Sequence, residues 1–285
     1  MTADAHAGAL PSDSSRAQGR HVYRHGVAAR TAHWTWTLAI LVLVMSGLQI
    51  FNAAPYLDAS DKSNPAKRVL AFDAQNTAGG PVGYTIVFGH RIVTTHLLGY
   101  TDDGMGSESL RAFPAWLTLP GPQDLADGRR WHLFFAWVLF VAWAAYLISA
   151  ALRGTLRELV MRPDDFRKLW PMPLYYLRLR KEPPPHGTYN PLQKLTYNVI
   201  VFVFFPLLIL TGLTLSPAVD AAVPWLTALF GGRQFARLWH FVLMVLLLGY
   251  FATHLALVLT TGFWNNMRSM ITGWFVLGKH DGVGP

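Results

Sequence analysis

Cysteine is missing from the 285-residue chain, and charged side chains make up only 14% of it. The first absence excludes disulfides, thiolate-bound iron–sulfur clusters and the C-x-x-C-H attachment of c-type haem within this chain. The second excludes an ordinary soluble domain, in which about a quarter of the residues are charged. A hydrophobic fraction of 52% points the same way. Acidic residues are the scarcer sign, 16 against 24 Lys and Arg, for a net charge of +8. That excess of base does not read as nucleic-acid binding, because none of the usual motifs is present. The basic residues instead cluster beside apolar runs, where they set topology and meet anionic lipid.

What the chain does have is four stretches free of Asp, Glu, Lys and Arg, at about 31–56, 131–152, 195–219 and 238–267. Each is near or above the roughly twenty residues that cross a bilayer as a helix. They predict an all-α membrane protein, a four-transmembrane-helix bundle over residues 31–267. A polar segment, 1–30, precedes it and a tail, 268–285, follows. The connection 57–130 is long and carries turn chemistry at Pro65, Gly79-Gly80-Pro81 and Asp102-Asp103-Gly104. Within it Tyr84–Tyr100 is interrupted by Arg91 and is read as structured loop with short helices, not a fifth span. Pro206 predicts a kink in the third span. Trp264–Lys279 predicts an interfacial helix.

The loop 153–194 carries nine Lys or Arg against four Asp or Glu. The positive-inside rule places it in the cytoplasm. Four spans then put both termini in the cytoplasm and 57–130 in the periplasm of a bacterial inner membrane.

Histidine is the residue type that carries chemistry here. His240 and His254 are fourteen residues apart in the fourth apolar run. As a helix that is roughly four turns, so both imidazoles share one face about 21 Å apart. Placed on the topology, His33 and His254 lie at the cytoplasmic depth, His132 and His240 at the periplasmic depth. Ionisable groups inside a membrane are costly and usually functional, and two stacked histidine pairs suggest two haems with bis-histidine ligation. His6, His186 and His280 read as solvated, His90 and His96 as loop structure, and His25 as a rival to His33. Gly47 and Gly212, inside spans one and three, would let a porphyrin or a helix come close. Arg30, Arg129 and Arg130 are candidate partners for haem propionates, and equally for lipid phosphate.

Four segments resemble one family. Arg30-Thr-Ala-His33-Trp34 with Ser46-Gly47, then Gly128-Arg-Arg-Trp-His132, then Tyr189-Asn190-Pro-Leu-Gln193-Lys194, and finally the fourteen-residue histidine pair occur in that order. Together they resemble the cytochrome b subunits of respiratory formate dehydrogenase (its gamma subunit), nickel–iron hydrogenase and thiosulfate reductase. The resemblance implies two haems b, one held by His33 and His254 and one by His132 and His240. It implies electron transfer between quinone and a periplasmic redox subunit, a molybdopterin oxidoreductase or a hydrogenase, with or without an iron–sulfur subunit. It makes Asn190 and Gln193 candidates for hydrogen bonds to quinone. The connection 57–130 is longer than in the formate dehydrogenase subunit, which favours a molybdopterin partner of the thiosulfate- or sulfite-handling kind. The competing reading is a free-standing di-haem oxidoreductase that passes electrons from superoxide to quinone, with Arg129, Arg130 and Arg237 as a cationic approach.

Overall fold

The computed structural model describes residues 21–182 and 191–276. A short strand β1 (His21–Tyr23) precedes helix α1 (Val27–Asn52). Then come β2 (Tyr56–Asp58), β3 (Arg68–Thr77), β4 (Gly80–Val87), β5 (His90–Val93), β6 (Gly99–Asp102) and β7 (Glu108–Arg111). Helix α2 (Leu125–Leu152) is followed by three short helices, α3 (Leu156–Leu159), α4 (Pro163–Arg167) and α5 (Pro171–Tyr176). The third long helix is composite: α6 (Pro191–Val199), a π-helical stretch at Ile200–Phe204, and α7 (Phe205–Thr214). Two short helices, α8 (Pro217–Ala222) and α9 (Pro224–Leu229), lead to α10 (Arg233–Thr260), α11 (Phe263–Thr272) and strand β8 (Trp274–Val276).

Among the described residues four helices are long and apolar enough to cross a membrane: Val27–Asn52, Leu125–Leu152, Pro191–Thr214 and Arg233–Thr260. Each begins four to six residues before the charge-free run that announces it. The reason is local: the first turns carry Arg30, Arg129 and Arg130, Lys194, and Arg233 and Arg237, which a charge-free criterion leaves out. Asp124 caps α2, accepting the backbone N–H of Asp127 at 2.9 Å.

The third span does not simply kink at Pro206. Phe205 N–H bonds to the Ile200 carbonyl, one residue further back than in an α-helix. The next N–H along, which would serve Val201, is the one proline lacks. Trp143 of α2 fills the gap: its indole Nε1 donates to the Val201 carbonyl at 2.9 Å.

The expectation of an all-α chain is corrected by residues 56–111, which form antiparallel sheet. β2, β3, β4 and β5 make one four-stranded sheet in that order, and β6–β7 a separate hairpin. Tyr84-Thr85-Ile86-Val87 and His90-Arg91-Ile92-Val93 are β-branched and aromatic runs, and Phe88-Gly89 between them is a hairpin turn. Arg91 is no break: on an exposed strand its guanidinium lies over the Tyr84 ring, 5.3 Å from the centroid.

This sheet is seated on helix ends. Phe51, Leu57, Phe72 and Ala112 form a buried cluster with Phe113, Leu238 and Phe241 packed against it. Phe51 meets Phe72, Phe113 and Phe241 at ring distances of 5.9, 5.6 and 5.0 Å. Asn52 clamps the chain by exchanging side-chain bonds with the Phe113 N–H (2.9 Å) and carbonyl (3.3 Å). Arg111, 1% exposed, donates to the carbonyls of Phe113, Asp103 and Gly121 and to Thr118 Oγ1 at 2.8–3.1 Å. Burial lowers its pKa from the ordinary arginine value. These contacts belong to a larger compact unit, Thr31–Thr253.

Of the described residues, the smaller unit comprises 21–30 and 254–276. In it β1 pairs antiparallel with β8. The expected C-terminal helix over Trp264–Lys279 is shorter: it stops at Thr272, where Gly273 turns the chain at φ 90° into β8. Asn265 holds that strand through the Val276 carbonyl (2.7 Å) and N–H (3.0 Å).

Candidate functional site

The site is built from two matched halves. His132 is the eighth residue of α2, and His240 the eighth of α10. Each ring is set against a hydroxyl–glycine step on a preceding helix: Ser46-Gly47 on α1 for His132, Thr211-Gly212 on α7 for His240. A Cβ at Gly47 would lie 3.2 Å from His132 Cε1, and one at Gly212 3.3 Å from His240 Cε1. Glycine is therefore what lets each ring lie against the neighbouring helix. It is the imidazole edge that takes up the glycine space.

Hydrogen bonds fix which nitrogen of each ring is available. His132 Nδ1 is 3.1 Å from Ser46 Oγ and 3.1 Å from the Leu43 carbonyl. A carbonyl only accepts, and Ser46 spends its own proton on the Val42 carbonyl at 2.6 Å. Nδ1 of His132 is therefore the protonated nitrogen. His240 Nδ1 is 2.9 Å from Thr211 Oγ1, whose proton goes to the Leu207 carbonyl at 2.6 Å. The same assignment follows, and both Nε2 atoms keep a free lone pair.

The two rings meet edge-on, centroids 6.2 Å apart and planes at 65°. Two imidazoles joined through one metal at about 2.0–2.1 Å per bond have centres about 6.4 Å apart, counting roughly 1.2 Å from ring centre to nitrogen on each side. The observed spacing fits a shared metal. Among the described residues no group of three or more His, Asp or Glu gathers into a metal site. Two imidazoles suit an ion whose other ligands arrive with it, as iron does in a porphyrin.

The other expected site residues divide. His33 lies on the second turn of α1, half-buried, its ring edge-on to Trp34 at 5.1 Å. His254 lies fourteen residues beyond His240 on α10 and is half-buried. His33 belongs to the larger compact unit and His254 to the smaller. Gln193 is the third residue of α6, half-buried. Asn190 lies outside the described residues. Next to Gln193, Lys194 pairs with Asp165 at 2.9 Å. Burial pushes the Asp165 carboxyl up, but the Arg162 N–H and Lys194 outweigh it and hold it below its ordinary value.

The arginines are mostly engaged. Arg30 donates to the Ile271 carbonyl. Arg129 is exposed, and Arg130 pairs with Asp127 at 2.7 Å. Arg237, one turn before His240, lies over the rings of Phe51 (5.2 Å) and Tyr56 (5.6 Å) and donates to the Ala54 carbonyl. His96 bonds Glu108 at 2.7 Å on the surface. What sequence reasoning missed is the contact of Ser46 with His132 and of Thr211 with His240. The one partial signal is a hydroxyl residue directly before the glycine in both spans.

No curated protein matches the chain. Its sequence matches, over residues 24–273, the family described as prokaryotic cytochrome b561. That match spans most of the length, and the chain belongs to this family of multi-pass, haem-b-binding membrane proteins of electron transfer.

Proposed function

We propose that the chain is a di-haem b cytochrome that passes electrons between the quinone pool and a periplasmic oxidoreductase of the molybdopterin type. The observation that carries the reading is the His132–His240 pair: rings 6.2 Å apart with both Nδ1 atoms tied back to the helices. Bis-histidine ligation leaves no open position for oxygen chemistry and suits a group that only exchanges electrons. The second haem, on His33 and His254, rests on the fourteen-residue spacing and the family resemblance.

The β cap supports a docked partner. It is seated on the α1 and α10 ends nearest His132 and His240, and exposes Phe88, Ile92, Val93 and Leu97. The excess of base in 153–194 sets this cap on the periplasmic face of a bacterial inner membrane, with both termini cytoplasmic. Quinone then binds on the cytoplasmic side, near Gln193 and Asn190. Arg129 and Arg30 remain candidate propionate contacts. A free-standing superoxide–quinone oxidoreductase needs an open cationic approach. Arg237 lies over Phe51 and Tyr56 and is bonded to the Ala54 carbonyl, and Arg130 is paired with Asp127, so of the three expected arginines only Arg129 is left for one.

The test is the purified full chain mixed with a reduced quinone analogue under anaerobic conditions. The reading expects b-type absorbance bands to develop, and a larger redox subunit to copurify from native membranes. A colourless protein, or haem reduced by superoxide and not by quinol, contradicts it.

A further inference from the structure

We infer that Ser46 and Thr211 set the reduction potential of the haem held by His132 and His240, acting through the ligands as positioning residues. This rests on the haem reading above and goes beyond it. The geometry is the same in both halves. Each Nδ1–H points at a hydroxyl, at 3.1 Å for Ser46 and 2.9 Å for Thr211. Each hydroxyl passes its own proton to the carbonyl four residues back on its helix, at 2.6 Å in both cases. Imidazole, hydroxyl and carbonyl thus form a three-member chain, and successive hydrogen bonds polarise one another in a low-dielectric interior. Ser46 and Thr211 are both fully buried, so water does not compete for the bond.

An acceptor on Nδ1–H makes the opposite nitrogen a stronger donor. A stronger donor favours ferric over ferrous iron and lowers the potential. Removing the acceptor raises it. The two halves are not equal in the consequence. Each ring keeps a backbone carbonyl when the hydroxyl is removed, Leu43 for His132 and Leu208 for His240. Thr211 supplies the shorter contact, and its loss has the larger effect.

The experiment is a spectroelectrochemical titration of the purified full chain, following the haem component that disappears in His132→Ala. Thr211→Val keeps the shape and deletes the hydroxyl; Thr211→Ser keeps the hydroxyl and deletes the methyl. The expected result is an unchanged haem-to-protein ratio with the reduced-to-oxidised ratio at fixed ambient potential raised roughly threefold to tenfold in Thr211→Val, the scale of one hydrogen bond. Ser46→Ala moves it in the same direction by less. Thr211→Ser returns it to the parent value, and the low-spin electron paramagnetic resonance signal shifts in step. An unchanged midpoint in Thr211→Val with haem retained overturns the inference alone, as does a Thr211→Ser shift equal to that of Thr211→Val. A parent protein without haem overturns the underlying reading, and this inference with it.

Discussion

Trp143 donates its indole N–H to the backbone carbonyl of Val201 at 2.9 Å, across the interface between α2 and the π-helical stretch of the third span. Inside a membrane span an unsatisfied carbonyl costs free energy, with no water to relieve it. Trp143→Phe keeps most of the ring and leaves that carbonyl bare, at an expected cost of about 1–3 kcal/mol. Thermal unfolding in detergent measures it. Pro206→Ala returns a backbone N–H to the helix, so the double variant should lose less than Trp143→Phe alone. Equal losses in the two would show that the indole bond serves no such purpose.

Gly47 and Gly212 give a second prediction. A methyl group at either position meets an imidazole Cε1 at 3.2–3.3 Å, closer than ordinary contact, so the ring must give way. Overpacking of this kind costs about 1–3 kcal/mol. Gly47→Ala and Gly212→Ala should each lower the haem-to-protein ratio, measured as the pyridine haemochrome. Gly249→Ala on α10, where a Cβ meets nothing within 4 Å, should leave it unchanged.

Asp58 makes the β cap sensitive to acid. Its buried carboxylate accepts from the Asn64 N–H (2.9 Å), Arg68 Nε (3.0 Å) and Ser63 Oγ (3.1 Å). Burial pushes its pKa up, but the bonds from Arg68, Asn64 and Ser63 outweigh it and hold the group below 3.8. A carboxyl depressed in the folded state contributes stability that is full above about pH 4 and lost as pH falls through the folded value. Hydrogen exchange at the β2 and β3 amides should therefore be steadily protected from neutral pH down to about 5, then lose protection below about 4. Asp58→Asn should weaken protection at neutral pH and flatten the acid limb. An acid limb identical in the two proteins would contradict the assignment.

The four spans were legible because twenty-odd residues without charge have few other uses. Their starts were not, since Arg30, Arg129, Lys194 and Arg233 belong to first turns that a charge-free window excludes. The depth of His132 and His240 was legible from helix spacing, and the structure brings those two together. The sheet at 56–111 was hidden because even its long strands β3 and β4 are only partly buried, so no clean alternation marks them. Arg91 looked like an interruption when it is an exposed strand position just past a hairpin turn. The pairing of β1 with β8 joins residues more than 250 positions apart and had no local signal. The contacts of Ser46 and Thr211 with the histidines were hidden for a different reason. Hydroxyl side chains in apolar helices commonly bond back to their own helix, and nothing in the sequence says that a histidine from another helix completes the chain.

The most direct measurement is the haem b content per chain of the parent protein and of His132→Ala and His240→Ala, by pyridine haemochrome and reduced-minus-oxidised spectra. The account predicts two haems in the parent, and the loss of one and the same spectral component in each variant. A parent without haem, or a haem count untouched by either substitution, would contradict it.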